Sequence, residues 1–163
     1  MATGNTLLVF TPLAYEPTAT NYATLDTRNQ HPVLDFDTTT QESAIWTSVL
    51  PRHYGGGGVT VYVHWAASTA TTGTIGWDVA FERIGDGQQD LDADSFATAQ
   101  VVTAATVPGT SGLVDITNVA VTNGANIDSI AVGEAFRLRV RRDVANDNAA
   151  GDAELVAVEI KET

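Results

Sequence analysis

The residues best equipped for chemistry in this 163-residue chain are aspartates at alternate positions, Asp90, Asp92 and Asp94. Carboxylates at positions one, three and five open an EF-hand calcium loop, which then needs glycine at six and a bidentate glutamate at twelve. Ser95 and Val101 stand at those places, so the spacing is that of a solvated acidic turn. A second acidic loop holds Asp143, Asp147 and Asp152 with Asn146 and Asn148, residue types that tolerate turn geometry. His31, His53 and His64 are dispersed along the chain, and neither HExxH nor GxSxG occurs. Residues 55–58 are four glycines, but an alternating segment follows them, so no helix N-terminus waits for a phosphate. With no cysteine, disulfides, zinc-thiolate sites and a thiol nucleophile are excluded. The expectation is a non-enzymatic protein with no catalytic residue, no metal and no cofactor.

Two further constellations concern recognition. Trp46, Trp65 and Trp77 could stack on sugar rings. Trp65 and Trp77, however, share a phase with aliphatic neighbours, which assigns them to a core. Arg137, Arg139 and Arg141 alternate with Phe136, Leu138 and Val140, and Arg142 adjoins them. A strand would present the three arginines on one face. They can pair with the chain's own carboxylates across strands, at little gain per exposed pair. Alternatively they meet an acidic surface of a partner or sister subunit, where guanidinium forks are favoured. On the second view Arg137, Arg139, Arg141 and Arg142 form a protein contact, and replacing Arg139 and Arg141 would cost the monomer no more than about 1 kcal/mol.

The elements that position these groups are strands. Val59, Val61, Val63 and Trp65 alternate with Thr60, Tyr62 and His64, and Ile75, Trp77, Val79 and Phe81 alternate with Asp78 and Glu82. Turn residues lie between them at 67–73, so the pair is expected as a long antiparallel hairpin. Further strands are expected near 6–10, 32–37, 43–50, 96–107, 113–121, 134–142 and 153–161, separated by Gly-, Asn- and Asp-rich segments. Threonine occurs 23 times, which suits half-buried pleated surfaces. The pattern predicts an all-β, antiparallel β-sandwich, best matched by a jelly roll, with an immunoglobulin-like sandwich second. Residues 1–31 alternate little beyond Leu7–Phe10 and hold Pro12 and Pro17. They are expected as an N-terminal extended arm, lying on the domain or on a partner, with the sandwich domain over 32–163.

Twenty acidic against eight basic side chains give a formal charge of −12. Such a surface repels nucleic acid and anionic membranes, and no apolar run has the length of a membrane span. The first residues lack the basic lead and apolar core of a signal peptide, so export by that route is not expected.

Four stretches carry a resemblance: TLDTRNQHPVLDFD (24–37), SVLPRHYGGGGVTVYVHW (48–65), GWDVAFERI (76–84) and GEAFRLRVRRD (133–143). Together they resemble small virion structural proteins of tailed bacteriophages, in particular capsid decoration (cement) proteins. That resemblance implies a jelly roll forming a homotrimer on the capsid exterior, with the major capsid protein as partner and the virion, assembled in host cytoplasm, as location. It assigns no residue a role. A tail- or fibre-associated module binding a host glycan, and a free carbohydrate-binding or enzyme-accessory domain, are the other readings. A solvent-exposed groove lined with aromatics would favour these two, and a buried arm with a flat apolar base the first.

Overall fold

The computed structural model describes residues 4–163. Ten strands make two antiparallel sheets: β1 Thr6–Phe10, β2 Thr24–Arg28, β3 His31–Phe36, β4 Ser43–Val49, β5 Val59–Ala67, β6 Thr74–Ile84, β7 Gln100–Thr106, β8 Val114–Val121, β9 Ala135–Arg142 and β10 Ala153–Glu162. The larger sheet runs β2-β3-β10-β5-β8, and β1 also pairs with β10; the smaller runs β4-β9-β6-β7. The result is an all-β sandwich of jelly-roll type. β10 pairs with β5 along one side, while β3 (at Ala153–Leu155) and β1 (toward Lys161) share its other side end to end.

Alternation places the core as expected. Val61, Val63, Trp65, Trp77, Val79 and Phe81 are buried in one cluster, and the indoles of Trp65 and Trp77 approach to 6.5 Å between ring centres. Trp46 is buried too, stacked on Phe10, with its indole N–H donating to the Thr11 carbonyl at 2.9 Å. No tryptophan is left for a sugar platform.

The expected β5–β6 hairpin is corrected. β5 lies in the larger sheet between β10 and β8, and β6 in the smaller between β9 and β7. Residues 68–73 therefore cross between sheets, and Trp65 and Trp77 meet through the core rather than across a ladder. Period two fixes which side chains point inward but carries no information on pairing partners. β6 is buried on both faces, including Gly76, Asp78, Ala80 and Glu82, as befits a strand whose outer side is also covered.

The extended arm is corrected as well. β1 and β2 belong to the larger sheet, and residue 31 begins β3, so the expected boundary cuts the β2–β3 hairpin (residues 1–3 lie outside the described residues). Between these strands the chain runs along β4 through bridges Glu16–Ile45 and Tyr22–Ser43, burying Pro12 and Ala23. Its alternation is weak because β2 is an edge strand, almost wholly exposed.

Candidate functional site

The arginines sit on both faces of β9. Arg137, Arg139 and Arg141 point away from the core, and Arg142, in phase with Phe136, Leu138 and Val140, points into it. Arg137 donates to Glu82 at 3.0 Å and lies 3.7 Å from Glu16, and Arg141 donates to Asp78 at 2.9 Å. The Arg139 guanidinium lies 4.6 Å from the centre of the Phe96 ring, which the 85–99 segment brings over the sheet. Burial and the neighbouring Arg141 make Arg139 less basic than usual. Arg137 and Arg141 are thus matched by the chain's own acids on β6, while Arg139 lies against Phe96. Arg142 is not part of the stripe: alternation from Phe136 fixes it inward, where Asp147 of the second acidic loop meets it.

That loop is internal structure rather than a solvated turn. Asp143 N–H donates to the Gly76 carbonyl, and Asn148 accepts from Thr74 N–H. The Asp90–Asp94 turn folds on itself, with Ala93 and Asp94 N–H both donating to the Asp90 carbonyl. His31 is exposed at the end of the β2–β3 hairpin, His53 is exposed before the glycine run, and His64 is half-buried on the outer face of β5. Among the described residues no three His, Asp or Glu side chains converge as a metal-binding group.

One recess of ligand size opens on the outer face of the larger sheet, with a volume of about 570 Å³, within the usual range of small-molecule sites. Its floor comes from three adjacent strands: Val33 of β3, Val156 of β10 and Ala66 of β5. Val156 is the extra residue of a β-bulge, where the register to β5 slips between Leu155 and Ala157; a bulge re-aims a side chain in this way. One wall is Ser111, Gly112, Leu113 and Val114 at the start of β8. The other comes from the two-residue β2–β3 turn, Asn29-Gln30, whose positive φ values of 47° and 69° suit a type I′ hairpin. That turn holds Asn29 and His31 at the mouth.

Arg28 ties the walls together. Its Nη1 donates to the Ala67 and Ser68 carbonyls and to Glu154 Oε2 at 2.5 Å. Gly112 is required here: its φ is +83°, and a Cβ would lie 2.6 Å from Arg28 Nη2. Beside the recess, Asp35 stands directly opposite the buried Glu154. Burial, then Glu154, Asp26 and Asp152, push its pKa up to about 6. The recess therefore offers an aliphatic floor, a polar mouth, and one guanidinium already matched by a carboxylate. None of its lining residues is Phe, Tyr or Trp.

Sequence reasoning did not find this site. It named His31 only as one dispersed histidine, and Arg28, Asn29 and Glu154 not at all. The one available signal was Asn29-Gln30 between two β-forming runs, a two-residue turn hidden by weak alternation on its first side.

No family model matches the chain, and no curated protein matches it. Solved structures do share its architecture. A family 35 carbohydrate-binding module from an environmental isolate superposes with a TM-score of 0.52 at 9% identity, covering 96% of this chain and 94% of that one. The CBM22-2 xylan-binding domain of Paenibacillus barcinonensis Xyn10C gives 0.52 at 11% identity, with 92% of each chain covered. A family 30 carbohydrate-binding module gives 0.51 at 11% identity, over 99% of this chain and 96% of that one. These likenesses overturn the expected function as a capsid decoration protein, because these three sandwiches, which match this chain end to end, are carbohydrate-binding modules. The stretches behind the virion resemblance supply largely core strands and internal ion pairs, features that report a sandwich and not where it works. What this chain shares with the three modules is the jelly-roll sandwich.

Proposed function

We propose that this protein is a carbohydrate-binding module without catalytic activity of its own, and that it holds a glycan in the recess on the outer face of the larger sheet. The observation that carries this reading is the recess itself: a bulged strand, a tight hairpin and the start of β8 converge on an open, ligand-sized hollow. The end-to-end likeness to binding modules supports the same reading. Hydroxyls would meet Asn29, His31 and Ser111 at the mouth, while the C–H face of a sugar would rest on Val33, Ala66 and Val156.

Affinity electrophoresis in gels containing soluble polysaccharides tests this directly. At least one polysaccharide is expected to retard the protein. Replacing exposed His31 and Leu113 together with alanine and serine should remove that retardation, while Val101→Ser, on the far edge of the smaller sheet, should not. Retardation by no polysaccharide, or unchanged retardation of the double variant, would sink the reading.

A further inference from the structure

We infer that the sugar this recess selects carries an acetyl group, with the acetyl methyl on the aliphatic floor and the acetyl carbonyl at the polar mouth. The inference rests on the carbohydrate-binding reading and deepens it. A sugar's C–H face can stack on an aromatic ring, but the three indoles of this chain are all in the core. What the recess presents instead is Val33, Ala66, Val114 and Val156, a surface made of methyl groups. Bare sugar hydroxyls pressed onto such a floor would lose water without gaining a partner, which costs free energy. A methyl group placed there gains by burial. Donors for a carbonyl oxygen stand at the rim: the Asn29 amide, the His31 ring N–H and the Ser111 hydroxyl.

Charge decides against the obvious competitor, an acidic sugar. The one guanidinium at the recess is engaged by Glu154 and two backbone carbonyls. Asp26, Asp35 and Asp152 add negative charge around that pair, and burial together with the neighbouring carboxylates makes Asp35 hold its proton more tightly than usual. In a chain of net charge −12, a uronate or sulfate would enter against that field. A neutral substituent with an apolar end fits both floor and field.

The acetyl group could be an ester on a plant polysaccharide or an amide on an amino sugar. Isothermal titration of the full chain with acetylated xylo-oligosaccharides, and separately with N-acetylglucosamine oligomers, distinguishes the two. Each is paired with its deacetylated counterpart, and a uronate-bearing xylo-oligosaccharide serves as the acidic competitor. On one arm the acetylated ligand should bind about tenfold tighter, the equivalent of 1.4 kcal/mol. Ala66→Leu, which fills the floor, and Val114→Asp, at the exposed rim, should each abolish that preference, with circular dichroism confirming the sandwich. Equal binding of acetylated and deacetylated ligands overturns the inference while leaving the carbohydrate reading in place. Preference for the uronate, or an acetyl preference that survives both variants, overturns it too. Binding of no oligosaccharide at all, together with no retardation by any polysaccharide, removes both.

Discussion

Arg142 and Asp147 form an ion pair sealed inside the end of the sandwich, with side-chain exposures of 0% and 3%. Arg142 Nε donates to Oδ2 at 2.7 Å and Nη2 to Oδ1 at 3.2 Å. Nη1 donates to the Phe36 and Gly151 carbonyls, and Nη2 also to that of Ala149. All five guanidinium N–H groups are thereby matched, and three segments are tied: β3, β9 and the loop before β10.

Removing one partner leaves a buried charge, so Arg142→Ala should destabilise the protein by about 3–5 kcal/mol. Arg142→Lys should rescue little, because an ammonium lacks the planar fork. Denaturant unfolding of both variants checks this; a loss below about 1 kcal/mol for Arg142→Ala would show that the pair adds nothing net.

Arg141 meets Asp78, which is only 4% exposed and has one other contact, a long 3.4 Å hydrogen bond from Gln41. Arg141→Gln should therefore cost about 2–4 kcal/mol, more than the 1 kcal/mol expected of an exposed stripe. The double variant Arg141→Gln, Asp78→Asn should recover part of that loss. If it recovers none, the two side chains are not energetically coupled.

These two arginines mark how far the sequence carried. Strand positions other than β2, and the inward phase, were legible, because Val61, Val63, Trp65 and Trp77 obey period two wherever one face is buried. Pairing was not, because β5 and β6 satisfy the same pattern whether they share a ladder or face each other across a core. Arg142 continues the inward phase of Phe136, Leu138 and Val140, and only the fold reveals that Asp147 meets it there. The recess was hidden for a different reason. Val33, Ala66, Val114 and Val156 come from four strands far apart in the chain, and each alone is an unremarkable strand residue.

Asp35 gives the protein a pH-dependent weakness. Its pKa is raised to about 6, so the fold favours the protonated carboxyl. Below the unfolded value both states hold the proton and nothing is lost. As pH rises through 6 the folded state must ionise against Glu154, Asp26 and Asp152, with Arg28 already engaged by Glu154, and stability falls. Asp35→Asn mimics the protonated form. Its melting temperature should exceed the parent's by about 3–6 °C at pH 8, reflecting roughly 1–2 kcal/mol after solvent screening. The difference should vanish near pH 4. A difference constant from pH 4 to 8 would show that Asp35 ionises normally.

Deleting the chain before Pro32 tests whether the first strands belong to the sandwich. As a separable arm they would be dispensable for folding. Their contacts argue otherwise. Phe10 is buried and stacks on Trp46 at 5.9 Å between ring centres, and Thr11 supplies the acceptor for the Trp46 indole N–H. β1 covers the free side of β10 from Thr6↔Lys161 to Phe10↔Val158. β2 covers β3 and brings Arg28 to Glu154, which is 8% exposed and would otherwise stand as a buried charge. Losing one large aromatic and one such partner should each cost about 3–5 kcal/mol, against a typical total stability of about 5–15 kcal/mol. The truncated chain is therefore expected to lack a cooperative thermal transition at 25 °C and above, with tryptophan emission shifted to the red as Trp46 meets water. A truncated chain that melts cooperatively near the parent's temperature, with unshifted emission, would restore the arm and make β1 and β2 accessories to the fold.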